Sequence, residues 1–254
     1  MKTDQIVQWK RIGVEAVAIV ASILLAFAID AWWQNRQENT SDISHLTAVA
    51  NELRKQRELL DESIAAHQET IDAGGEILDY IASKGADEPE SGVLVTLSRL
   101  VSFYQINAPF GALETAMMAG AIPRMSNSEL ATSLASWPTA IEDLTEEQNQ
   151  GFRAMFDLLA TLSVRMPMAA VYAEKLRSPT IRGTSEVVKG QIFQPGSSPF
   201  QFSPELMYQD HEVESAVLIL LVLAQAARAE ATVFAGMLDE LIDQLDACLQ
   251  EHRC

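Results

Sequence analysis

The stretch ISHLTAVANELRKQRELLDESIAAHQETIDAGGEILDYI, residues 43–81, decides the fold. At spacings of three and four it reads Ile43, Leu46, Ala50, Leu53, Arg57, Leu60, Ile64, His67, Ile71, Gly74, Leu78 and Ile81, and nine of these twelve are apolar. Residues so spaced share one face of a helix, so the pattern is a heptad seam along a single long helix. Glu52, Lys55, Glu58 and Glu62 fill its other faces. No proline falls between Asp4 and Pro89, so nothing in that interval obliges the helix to stop. Gly74-Gly75 is the expected kink.

Upstream of the seam, residues 12–33 read IGVEAVAIVASILLAFAIDAWW, an apolar run broken only by Glu15 and Asp30. Such a run is long enough to cross a bilayer. Trp9 and Trp32 would lie roughly 34 Å apart along a helix, the separation of the two interfacial aromatic belts. A transmembrane helix over residues 12–33 is therefore expected to continue into a stalk helix over residues 34–84. A cleaved signal peptide shares the basic start (Lys2, Lys10, Arg11) and the small-x-small site Ala26-Phe27-Ala28. The run continues past that site through Ile29 to the aromatic pair Trp32-Trp33, which favours a retained anchor. Three basic residues precede the span, against Arg36 alone in residues 34–53. The positive-inside rule then keeps residues 1–11 cytoplasmic and places the rest outside, in the periplasm of a Gram-negative inner membrane, as a single-pass protein.

On a helical wheel Glu15, Ala18, Ser22, Ala26, Asp30 and Trp33 fall on one side. Small residues four apart let helices approach closely in lipid, so this is a candidate helix-packing face for a membrane-protein partner or a second copy. Glu15 stands about one turn from Arg11 and can alternatively pair with it. The middle of the span carries no charge, which argues against a proton or ion path through it. The chain holds 18 basic and 35 acidic residues, a formal charge of −17. Without residues 1–36 the balance is 14 to 32, or about −18. So acidic a domain repels nucleic acid and anionic lipid, and suits a basic partner or simply a soluble face. Cys248 and Cys254 are too few for a disulfide scaffold but allow one bridge, within or between chains.

The last segment mirrors the stalk. Val213, Val217, Leu220, Ala224, Ala227, Ala231, Phe234, Leu238, Leu241, Leu245 and Cys248 keep the same spacing, so residues 213–254 form an antiparallel return helix. Its patch AVLILLVLAQAA (residues 216–227) is too short to span a membrane and is expected to be buried on most sides. Residues 85–212 form a helical insert between the two arms. Within it, helices are expected over residues 93–106, from Pro109 to a stop at Gly120, and from a Ser126-x-x-Glu129 capping box to a break at Pro138. Further helices follow over residues 139–166 and 168–177. Residues 178–203, rich in Pro, Gly and Ser, form a long loop of the kind that carries function. The fold class is all-α.

Candidate chemistry is sparse. There is no Gly-rich phosphate loop, CxxC, HExxH or nucleophile elbow, and no cofactor or catalytic role is expected. His67 lies on the seam as a core histidine, and Asp210-His211-Glu212 reads as an acidic helix N-terminus. The hairpin alone would bring Glu38, Asp42 and His45 beside Cys248, His252 and Cys254, a set able to hold zinc or copper. The plainer reading is an acidic tail with a disulfide or free thiols, and it is preferred.

The stretch from Glu15 to Arg36, with its exit Ile29-Asp30-x-Trp32-x-x-x-Arg36, resembles an uncharacterised family of bacterial single-pass inner-membrane proteins. His45-Leu46 through Asp61 looks like that family's Leu- and Glu-rich stalk, and FGALETAMMAG (residues 110–120) is similar to its mid-chain pattern. The resemblance implies an anchor with an outward helical domain and no established activity. A membrane-anchored interaction protein, an accessory or scaffold subunit, is the expected function. The alternative is an extracytoplasmic ligand-sensing domain acting through a separate signalling subunit.

Overall fold

The computed structural model describes residues 3–84, 90–177, 205–251 and 254. These form seven helices: α1 (Thr3–Ala82), α2 (Glu90–Leu100), α3 (Gly111–Met118), α4 (Ser128–Ser163), α5 (Met168–Arg177), α6 (Glu205–Tyr208) and α7 (His211–Glu251). No strand occurs among the described residues, so the fold is all-α. The loop expected at 178–203 lies outside the described residues.

Span and stalk are one helix of 80 residues. It is continuous through Gly74-Gly75. Gly74 is buried where a Cβ would stand 3.1 Å from the Leu221 side chain, so it serves close approach of α7.

Two stacked cores give the chain direction. One joins Leu46, Leu53 and Leu60 of α1 to Leu134 and Ile141 of α4 and to Leu238 and Leu245 of α7. The other joins Ala73 and Ile77 to Leu158 and Leu162, and to Val213 and Leu220. Hence α1 and α4 run the same way and α7 runs back against both. The expected hairpin is present, and the insert that separates its arms in sequence packs alongside both of them. From Leu100 the chain descends beside α1 to α3, then α4 climbs the whole length of α7. The result is an up-down-up-down bundle whose second arm is partly non-helical.

That second arm departs most from expectation. The helix expected over residues 93–106 stops at Leu100, and no helix resumes until Gly111. Non-helical backbone inside a bundle must find hydrogen-bond partners. Gln148 Oε1 accepts from Ile106 N at 2.9 Å, and Gln148 Nε2 donates to Ser63 Oγ at 3.0 Å. Gln56 Nε2 donates to the Pro109 carbonyl, while Trp137 Nε1 donates to Gln56 Oε1 at 2.7 Å. The Glu52 carboxylate accepts from Ala112 N at 2.8 Å and Leu113 N at 3.0 Å, closing the first turn of α3. Gly120, with φ +77°, ends that region as expected.

These contacts explain why the buried seam of α1 differs from the apolar count. Leu46, Leu53, Leu60, His67 and Gly74 are buried as expected. The alternate positions are Val49, Gln56, Ser63, Thr70 and Ile77, while Arg57, Ile64, Ile71 and Leu78 stand half-buried. Gln56 and Ser63 read as surface residues because they are polar, yet they face the segment that needs them. Arg57 is turned outward to Asp61 and Asp239, the latter at 2.8 Å.

In α7 the expected seam holds, with Ala235 buried fully and Phe234 only partly. Helix α4 also differs from expectation. Its N-cap is Asn127, whose side chain accepts from Glu129 N and Leu130 N at 3.1 Å, and it runs unbroken through Pro138. Leu134, Trp137, Ile141 and Leu144 flank the proline with one continuous buried stripe, which outweighs a proline cost of about 3 kcal/mol. Residues 168–177 form α5 as expected.

Gly151 of α4 faces the Phe103 ring, where a Cβ would lie 2.1 Å from Cζ. Gly151→Ala should therefore lower stability by about 2 kcal/mol through overpacking, although alanine is the better helix former. A urea midpoint below that of the parent chain is the expected reading; a higher midpoint would mean the non-helical segment yields freely.

Candidate functional site

The end of the bundle nearest the span gathers most of the expected site residues. Ser22 donates to the Ala18 carbonyl at 2.8 Å, within its own helix. Ala18, Ser22, Ala26, Asp30 and Trp33 are all exposed, as is every residue from 17 to 41. The side chain of Glu15 lies outside the described ones. Trp32 and Trp33 stand 6.4 Å apart between ring centroids at the end of the apolar run.

Directly above them is a cleft of about 790 Å³. The base of α1 supplies Trp32, Arg36, Glu38, Asn39 and Asp42. The turn after α3 supplies Arg124 and Met125, and the chain's end supplies Leu249 and Cys254. Arg124 closes one side with a forked pair to Asp42, Nε to Oδ2 at 3.0 Å and Nη2 to Oδ1 at 2.5 Å. It also donates to the Ala119 carbonyl at 3.0 Å. The hydrogen-bonded Asp42 carboxylate, helped by nearby Glu38, raises the Arg124 pKa above its ordinary value. Arg36 lies 5.9 Å from the centroid of the Trp32 ring and makes no ion pair among the described residues.

The return helix does bring the C-terminal cysteines back to the base of the stalk. Cys248 and Cys254 form a disulfide with Cα atoms 5.1 Å apart, and Ser126 N donates to the Cys254 carbonyl. His45 points elsewhere. It lines an adjoining groove with Trp33 and Ser44, which meets the cleft that holds Cys254 at Arg36 and Thr40. His252 lies outside the described residues. The disulfide consumes both thiolates, so His45, Cys248 and Cys254 are not assembled as ligands. No group of three His, Cys, Asp or Glu side chains suited to a metal occurs among the described residues.

At the far end, Asp210 caps α7 by accepting from Glu212 N at 2.9 Å. Arg165, in the turn after α4, pairs with both Asp210 and Glu212 and holds Asp210 below the usual carboxylate range. This stretch is a helix start tied to its neighbour, as its acidic sequence predicts.

The patch at residues 216–227 is the clearest correction. Leu218, Ile219 and Val222 are each more than half exposed, so this patch is not buried on most sides. Helix α7 is also the second described helix long and apolar enough to cross a membrane, after α1. Ile219, Val222, Ala226, Ala229, Val233 and Gly236 repeat at three and four along its outer side, with Leu218 and Met237 beside them. That second seam is visible in the sequence once the first is subtracted. Arg124, a cation in an acidic domain, carried no such periodic signal.

His67 is fully buried with neither ring nitrogen hydrogen-bonded, its ring 4.7 Å from that of Phe103. Burial pushes its pKa down from 6.5 to about 4. The folded chain then resists taking a proton that the unfolded chain accepts, so stability falls as pH drops from 6.5 toward 4. The shift amounts to roughly 3 kcal/mol across that window. His67→Leu should remove this part of the acid sensitivity, read as urea midpoints near pH 7 and about 4.5; an undiminished difference would place the sensitivity elsewhere.

No family model, no curated protein and no solved structure matches the chain. The resemblance to a membrane-protein family rests on the quoted residues alone.

Proposed function

We propose that this chain is a membrane-anchored helical interaction protein, an accessory or scaffold subunit of a bacterial inner-membrane complex. Residues 1–11 lie in the cytoplasm, residues 12–33 cross the bilayer once, and the helical domain stands in the periplasm. The second apolar helix, α7, stays outside the membrane, because its inner face is committed to the core and Arg57 and Arg54 tie it to α1 at Asp239 and Asp246.

The observation that carries this reading is the outer side of α7. A folded helix that leaves Ile219, Val222 and Val233 exposed at heptad spacing, with Leu218 and Met237 beside them, presents a ready seam for another helix. The exposed span supplies a second contact surface in the bilayer, where small residues favour close packing. An anchored body with two unpartnered helical faces and no assembled catalytic group among the described residues holds other proteins in place.

A photo-crosslinking residue at Val222 or Ser22, placed in the full chain in its native membrane, tests this. One discrete cross-linked membrane protein is expected, its yield falling about tenfold when Val222 and Val233 both become Asp while helicity is unchanged. A chain extracted as a monomer, with neither position cross-linking to a protein, would remove the proposal.

A further inference from the structure

The cleft at the base of the stalk has features of a ligand site that the interaction role does not use. It combines a cation, anions and an apolar floor within one concavity, at the level where the apolar span ends. Its floor is Ile43, Leu46 and Met125, and its rim is Arg36, Glu38, Asn39 and the Asp42–Arg124 pair. The two ions of that pair satisfy each other, as the forked geometry shows. Arg36 and Glu38 are exposed and make no hydrogen bond or close ion pair through their side chains among the described residues, although Glu38 acts on Arg124 through space. One cationic and one anionic group therefore remain on the same rim.

We propose that this cleft binds the headgroup of a zwitterionic phospholipid bearing a primary ammonium, with its phosphate on Arg36 and its ammonium on Glu38. The inference rests on the anchored orientation proposed above. Three observations select this ligand class. Trp32 forms a wall of the cleft and ends the apolar run, so the rim stands at headgroup depth. Leu25, Ala28 and Trp32 share a helix face beneath it, and all three are exposed, which gives acyl chains an apolar track down the span. An anionic headgroup brings no cation to Glu38 and meets the field of a strongly acidic domain, whereas a zwitterion satisfies both rim charges. A primary ammonium can donate hydrogen bonds to Glu38 and to the side-chain oxygen of Asn39, which a quaternary one cannot.

The full chain is reconstituted into vesicles of equal phosphatidylethanolamine and phosphatidylglycerol, re-extracted in mild detergent, and its retained lipid quantified by mass spectrometry. Phosphatidylethanolamine enriched at least threefold over the vesicle ratio is expected. In the Arg36→Gln, Glu38→Gln double variant the ratio should return to that of the vesicle, with helicity unchanged because both side chains are exposed. Replacing phosphatidylethanolamine by phosphatidylcholine should abolish the enrichment. A parent chain that retains lipid at the vesicle ratio, or a double variant as selective as the parent, overturns the headgroup site while leaving the anchor intact. A chain that does not enter the vesicles at all overturns the anchored reading from which the site follows.

Discussion

The fold depends on how a non-helical strip of backbone is satisfied inside a helical bundle. Residues 102–110 occupy the place of a helix without making a helix's internal hydrogen bonds. Gln148 and Gln56 reach the strip from neighbouring helices, and Glu52 caps the start of α3 where the strip ends. An unsatisfied buried amide costs on the order of 1–3 kcal/mol, so these few side chains decide whether the second arm can pack at all. Their demand in turn sets the rotation of α1, because Gln56 and Ser63 must face inward. Gly151 belongs to the same arrangement, since its missing side chain makes room for Phe103.

This dependence also marks the limit of what could be read from residues in order. The all-α class, the continuity of span and stalk, the antiparallel return helix and the acidic start of α7 follow from local signals: heptad spacing, absence of proline and polar caps. The seam of α1 was legible at Leu46, Leu53 and Leu60 but not at Gln56 or Ser63. A polar side chain is inward only if something inside needs it, and the need arises from residues about 50 to 85 positions away. Pro138 misled for the complementary reason: local chemistry argues for a break, and a buried stripe from Leu134 to Leu144 overrides it.

The candidate sites divide along the same line. The small face of the span is periodic in sequence, and its described members are exposed together with the rest of residues 17–41. The metal constellation depended on a hairpin alone; the direction of the return was right, but helical phase sends His45 into one groove and Cys254 into another. The cleft with Arg36, Glu38 and Arg124 is built from three separate parts of the chain, and no single stretch announces it. The outer side of α7 could have been found, since a helix with two apolar seams has more hydrophobic surface than one core can cover.

The unbroken course of α1 has a mechanical consequence. From Trp33 to Ala82 the helix extends roughly 75 Å beyond the end of the span, with no loop to act as a hinge. In the proposed anchored state, the bundle is a lever whose short arm is embedded in lipid. Leaning the span by roughly 10°, well within the usual range for such helices, would sweep the far end sideways by about 13 Å. Whatever clasps the span and whatever meets α7 would then feel each other through a stiff rod, without any change in the packing of the domain itself.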